Sequence, residues 1–139
     1  MLFPVLSTVA KKIVLALTGL CLAGFISVHL AGNLLLLVGP DAFNLYAHKL
    51  LSLGALLYAV ELILLSIFTL HLSLAVYNQI ANWRARPMGY RKTTRQGKPS
   101  RLTLSSRSMI LTGLVIITFT VIHVITFKYG PGVEDGYLT

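Results

Sequence analysis

Three histidines sit singly in three long apolar runs: His29 in "LAGFISVHLAGNL", His71 in "SIFTLHLSLAV" and His123 in "TFTVIHVITF". An ionisable side chain in so apolar a run is expensive to bury and is by default a functional residue. Imidazole offers three chemistries there: a hydrogen bond to a neighbouring helix, a proton relay, or metal ligation. Glu61 is the only acid inside an apolar run. The fourth histidine, His48, lies beside Lys49 on the polar side of a short amphipathic stretch and reads as solvated.

The composition decides which solvent surrounds these groups. Of 139 residues, 55% are hydrophobic and 12% charged, with a mean hydropathy of +0.78; soluble domains carry about 25% charged residues. The net charge of +8 does not mark a nucleic-acid surface, because eight of the twelve basic residues lie between Arg84 and Arg107, in a loop joining two apolar runs. That is the pattern of the positive-inside rule. The single cysteine, Cys21, rules out a disulfide framework and a thiolate metal site and reads as a buried, inert thiol.

The expected architecture is therefore all-α and integral to the membrane. Three segments are long enough to cross a hydrocarbon core of about 30 Å, which takes about 20 helical residues: 13–38, 54–80 and 108–127. Residues 1–12 form a cytoplasmic start, 39–53 an outer interfacial connection, 81–107 a basic cytoplasmic loop and 128–139 an outer tail. Lys11 and Lys12 resemble the start of a signal peptide, but the apolar run that follows exceeds the usual length and carries His29 and Asn33, so the segment reads as retained. Within the outer connection, Phe43, Tyr46, Ala47, Leu50 and Leu51 have helical spacing, which predicts a short interfacial helix capped by Asp41.

Depth then separates the histidines. His29 is sixteen positions beyond Ile13 and His123 fifteen beyond Ser108, about 24 and 22 Å from the cytoplasmic side. His71 lies nine positions before Ile80 on a helix running the other way, about 14 Å from that side. Two imidazoles at one level on two helices suit bis-histidine haem ligation in a helix bundle. A closed zinc site needs four ligands, and the sequence has no such set. A flat macrocycle also needs room beside its ligands. On a helical wheel, Gly32 and Gly19 fall within about 80° of His29, Thr112 points almost with His123, and Asn78 almost with His71. Glycines serve equally in helix packing. Glu61, about 10 Å below the outer end of its helix, is either a buried neutral acid bonded to a neighbour or a proton-handling group beside a quinone. Two other readings use the same helices: a small transporter with a His and Glu proton relay, and a haem-free structural anchor.

Taken together, "KKIVLALTGLCLAGFISVHLAGNLLL", "FNLYAHKL", "ELILLSIFTLHLSLAVYNQIANWRARPMGY" and "SSRSMILTGLVIITFTVIHV" resemble the cytochrome b membrane-anchor subunit of succinate dehydrogenase and fumarate reductase, in its single-polypeptide, two-haem class. The resemblance spans residues 11–127, with HLxGNL, NxxARPxxY and SRxMxx(S/T)G elements in that order. It implies that His29 and His123 ligate an outer, distal b haem and that His71 ligates the proximal haem. It also implies a partner ligand for His71 from a fourth helix. The family has five helices and this chain three, so that ligand is expected from further membrane helices, in a longer chain or a second polypeptide.

The implied function is electron transfer between an iron–sulfur subunit, itself paired with a flavoprotein subunit, and a quinone, expected to be menaquinone. This subunit would hold haem b and the quinone site but no dehydrogenase active site, in a bacterial or archaeal cytoplasmic membrane. Arg84, Arg86 and Arg107 are the expected contacts for haem propionates or quinone, because guanidinium suits bidentate carboxylate pairing.

Overall fold

The computed structural model describes residues 7–85 and 104–130, and the side chains of 104–107 lie outside that description. The described residues are helical, without a β-strand. The chain divides into two units. The first, Met1–Met88, holds α1 (Thr8–Asn33), a 3-10 turn (Leu34–Leu37), α2 (Pro40–Leu51) and α3 (Ala55–Ala85). The second, Gly89–Thr139, holds α4 (Leu104–Lys128).

Three of these helices are long and apolar enough to span a membrane. Their apolar side chains point outward: Leu20, Val28, Leu62 and Leu111 are all exposed, and Phe43 and Leu74 alone form the buried apolar core among the described residues. In water such surfaces would drive aggregation, whereas in a bilayer they are the solvated face. Cys21, expected to be buried, is exposed on α1 with the rest of that wall. Hydroxyls on the spans find partners within their own helix. Ser27 donates to the carbonyl of Ala23, Ser66 to Leu62, Thr118 to Leu114 and Thr120 to Ile116, at 2.7 to 3.0 Å. A polar group facing lipid then has no unmet bond.

Each helix outruns its apolar stretch. α1 begins at Thr8 because Ser7 caps it, its hydroxyl accepting from the backbone N–H of Ala10 at 3.1 Å. α3 continues past Ile80 to Ala85, and α4 starts at Leu104, before Ser108. Backbone hydrogen bonding follows propensity and capping, so a helix does not stop where hydrocarbon stops.

The short helix expected between the first two spans is present, but its cap differs from expectation. The N-cap is Gly39, without a side-chain bond, and Pro40 takes the first helical position. Proline is preorganised for that position and needs no N–H partner there, which leaves Asp41 inside the first turn, its carboxylate near the positive end of the helix dipole. Gly39 has φ 148° and Gly54, before α3, has φ 51°. Both values favour glycine, so the two turns that aim α2 depend on residues without a Cβ.

On the inner face of α2, Phe43 is buried and Tyr46 is half-buried. Tyr46 lies against Gly32 of α1 so closely that a Cβ at Gly32 would stand 2.6 Å from the phenol oxygen. Gly32→Ala should therefore push the phenol off α1, at the ~1–3 kcal/mol typical of overpacking. Faster hydrogen exchange along α2 is the expected readout; unchanged protection would show that the contact does not hold α2.

Candidate functional site

α1 and α3 pack antiparallel, and two polar contacts set their register. Near the start of α1 and the end of α3, Lys11 Nζ lies 3.5 Å from the Tyr77 hydroxyl and 4.6 Å from the centre of its ring. Two turns further into the membrane, His71 Nδ1 lies 3.0 Å from Thr18 Oγ1. Thr18 is 8% exposed, the one buried polar side chain among the described residues. Beside it, a Cβ on Gly19 would meet His71 Cε1 at 3.2 Å. The imidazole thus rests on the Thr18–Gly19 step, and Leu74, one turn along α3, is fully buried. An interhelical hydrogen bond within a membrane is worth on average about 0.6 kcal/mol. That is too little to hold two helices together, but enough to choose how a ring sits.

The register also fixes relative levels. His71 lies opposite residues 18 and 19 of α1, and His29 is ten or eleven positions further along that helix, about 15 to 17 Å away. The two histidines of this unit therefore occupy separate layers. Carrying the same register outward brings Glu61 level with about residues 27–29 of α1. Glu61 is half-buried.

His29 and His123 have a similar local setting, each within its own helix. On α1, the ring of Phe25 stacks on His29 with centroids 5.4 Å apart and planes 22° apart. On α4, Phe119 stacks on His123 at 5.3 Å and 20°, and Phe127 closes on the other side at 5.0 Å. In each case the phenylalanine lies four positions earlier, one turn toward the N-terminus of its helix, where helical side chains meet. Sequence reasoning missed this pair of Phe-x-x-x-His motifs, although the spacing is visible in the chain. His29 and His123 themselves lie in separate units.

The remaining expected residues divide. Gly19, named for its direction relative to His29, lies against the His71 ring, and Gly32 faces Tyr46. Thr112 is exposed on α4, its hydroxyl donating back to Ser108 and Met109 at 3.1 Å each. Asn78 is half-buried on α3 and His48 is exposed on α2. Arg84 is exposed in the last turn of α3. Arg86 lies outside the described residues, as does the side chain of Arg107, whose backbone is in the first turn of α4. The basic loop and outer tail also lie outside them.

The donor set can be compared with the needs of a haem. Among the described residues, no three His, Cys, Asp or Glu side chains gather as a metal cluster requires. Haem brings four equatorial nitrogens and asks the protein only for axial donors. An axial histidine binds iron through one ring nitrogen while the other engages a neighbour. His71 meets that condition, with Nδ1 engaged by Thr18.

The fold and these residues define an all-α membrane protein whose first unit holds His71 and His29 at separate levels. Comparison of the chain with protein families, curated proteins and solved structures finds no match.

Proposed function

We propose that this protein is a cytochrome b membrane-anchor subunit of a succinate:quinone oxidoreductase or quinol:fumarate reductase, carrying electrons between an iron–sulfur subunit and quinone through haem b. The observation that carries the reading is the setting of His71: an imidazole between two membrane helices, one nitrogen engaged by Thr18, a full layer inward of His29. A histidine whose task was helix adhesion would have no use for a second histidine level. Electron transfer across a bilayer does, because it needs redox centres in succession between the two faces.

Bound haem would supply one-electron chemistry; the protein supplies ligation, burial and the surroundings that tune potential. His29 and His123 are the proposed ligands of the outer haem. His71 is the proposed ligand of the inner one, opposite a donor from a further membrane helix. Glu61, at the level of His29, is the proposed proton-handling group at a quinone site, with menaquinone the proposed quinone. Arg84, Arg86 and Arg107 are proposed to meet propionates or quinone. The iron–sulfur subunit, with its flavoprotein partner, is proposed to dock on the cytoplasmic side, where Lys11, Lys12 and the basic loop lie by the charge rule. Oxidation of succinate would take place in those partners.

Reduced-minus-oxidised absorption of the membrane-bound protein tests the proposal, with paired b-type bands expected. Their absence would leave the transporter and the haem-free anchor. His71→Leu should then remove the inner centre and spare the outer one. If the difference spectrum and its redox titration are the same with and without His71, the inner ligand has been assigned wrongly.

A further inference from the structure

We infer that Thr18 is a positioning residue that holds His71 as its Nδ1–H tautomer and so dedicates Nε2 to the metal. A threonine hydroxyl has one hydrogen and two lone pairs. The hydrogen of Thr18 is committed within its own helix, where Oγ1 lies 2.8 Å from the carbonyl oxygen of Val14 and 3.1 Å from that of Leu15. Neither carbonyl can donate in return, so Oγ1 faces His71 Nδ1, 3.0 Å away, with a lone pair. The hydrogen on that contact belongs to the imidazole. A neutral ring with its proton on Nδ1 carries its free lone pair on Nε2, the form that binds a metal through Nε2.

Two further features restrict the ring. Thr18 is 8% exposed, so water does not compete for its oxygen. Gly19 lets the imidazole lie within 3.2 Å of where a Cβ would stand, a separation that any side chain there would disturb. The charged residues of the two helices are Lys11, Lys12, Glu61 and Arg84, and of these Lys11 is engaged with Tyr77.

The tautomer is inferred from the geometry around Thr18 Oγ1, whereas the consequence for iron rests on the haem reading. A hydrogen bond from Nδ1–H raises the basicity of the ligating nitrogen, and losing such a partner typically weakens metal binding about 10- to 100-fold. A less basic ligand stabilises oxidised iron less, so the inner haem's potential should rise when Thr18 loses its hydroxyl.

The experiment compares wild type, Thr18→Val, which keeps the shape, and Thr18→Ser, which keeps the hydroxyl. The full chain is studied in membranes with 15N-labelled histidine, the His71 signals being assigned by their loss in His71→Leu. In protein produced without haem, His71 should be Nδ1–H in wild type and Thr18→Ser, and should lose that restriction in Thr18→Val. In haem-loaded protein, Thr18→Val should retain the inner haem at least about 10-fold less tightly and at a higher potential, with the outer haem unmoved; Thr18→Ser should restore both. An Nε2–H tautomer in wild type, or an unchanged tautomer in Thr18→Val, overturns the inference. An unchanged inner potential in Thr18→Val overturns its extension to iron. A chain that binds no haem removes the proposed function, and the nitrogen spectra still decide the tautomer.

Discussion

Replacing His29 or His123 with leucine is expected to remove one haem equivalent while leaving helix content largely intact. Leucine is a strong helix former, and either position lies in an apolar span, so the substitution removes the imidazole and its ring contacts while the helix persists. The aromatic setting sharpens the expectation. Phe25 and Phe119 each stack on their histidine from one turn below, which limits the directions the imidazole takes before any ligand arrives. If the haem lies between helices carrying these two residues, either substitution alone should empty the outer site, and the double variant should lose no more than either single one. Retention of the full haem complement by both single variants would show that the outer ligands lie elsewhere.

Glu61→Gln should leave both haems and succinate oxidation by artificial acceptors intact while strongly lowering quinone-linked turnover. Quinone chemistry moves protons with electrons, so a group that exchanges protons must stand within hydrogen-bond reach of the quinone oxygens or one water away. Glutamine keeps the shape and the hydrogen-bonding capacity but does not titrate. The register of α1 and α3 brings Glu61 level with His29, where a quinone would be close to the outer haem for electron exchange. Removal of a positioned acid or base typically slows proton transfer about 100- to 10,000-fold. Wild-type quinone turnover in Glu61→Gln would reduce the residue to a buried acid bonded to its neighbours.

The spans were legible because a helix of a given length must be apolar to sit in hydrocarbon, and length and composition are properties of the chain. The outer helix was legible from the spacing of Phe43, Tyr46 and Ala47, which form its inner face. Its start was misread because Asp41 is a good cap in isolation, whereas Pro40 draws the first turn forward by its fixed φ. Thr18 was missed for another reason. A helix hydroxyl normally bonds back to its own turn, and the oxygen's second role depends on which residue of another helix arrives opposite it. That is a matter of interhelical register, which no pattern within α1 encodes. The neighbour of Gly19 was hidden on the same account: its direction was judged against His29 on its own helix, while the ring it accommodates, His71, comes from α3.

The hydroxyls bonded back within their own helices bear on how the chain is made. A span that leaves the insertion machinery with unmet donors must wait for a companion or be rejected, whereas Ser27, Ser66, Thr118 and Thr120 are each satisfied by a carbonyl one turn away. Each helix carrying them can enter lipid by itself, and association can follow as a later event. Thr18 fits this order of synthesis: its hydroxyl has the carbonyls of Val14 and Leu15 as acceptors within α1 before α3 emerges. The contact with the later helix then sets how the His71 ring sits and leaves the helices to be held by their packing.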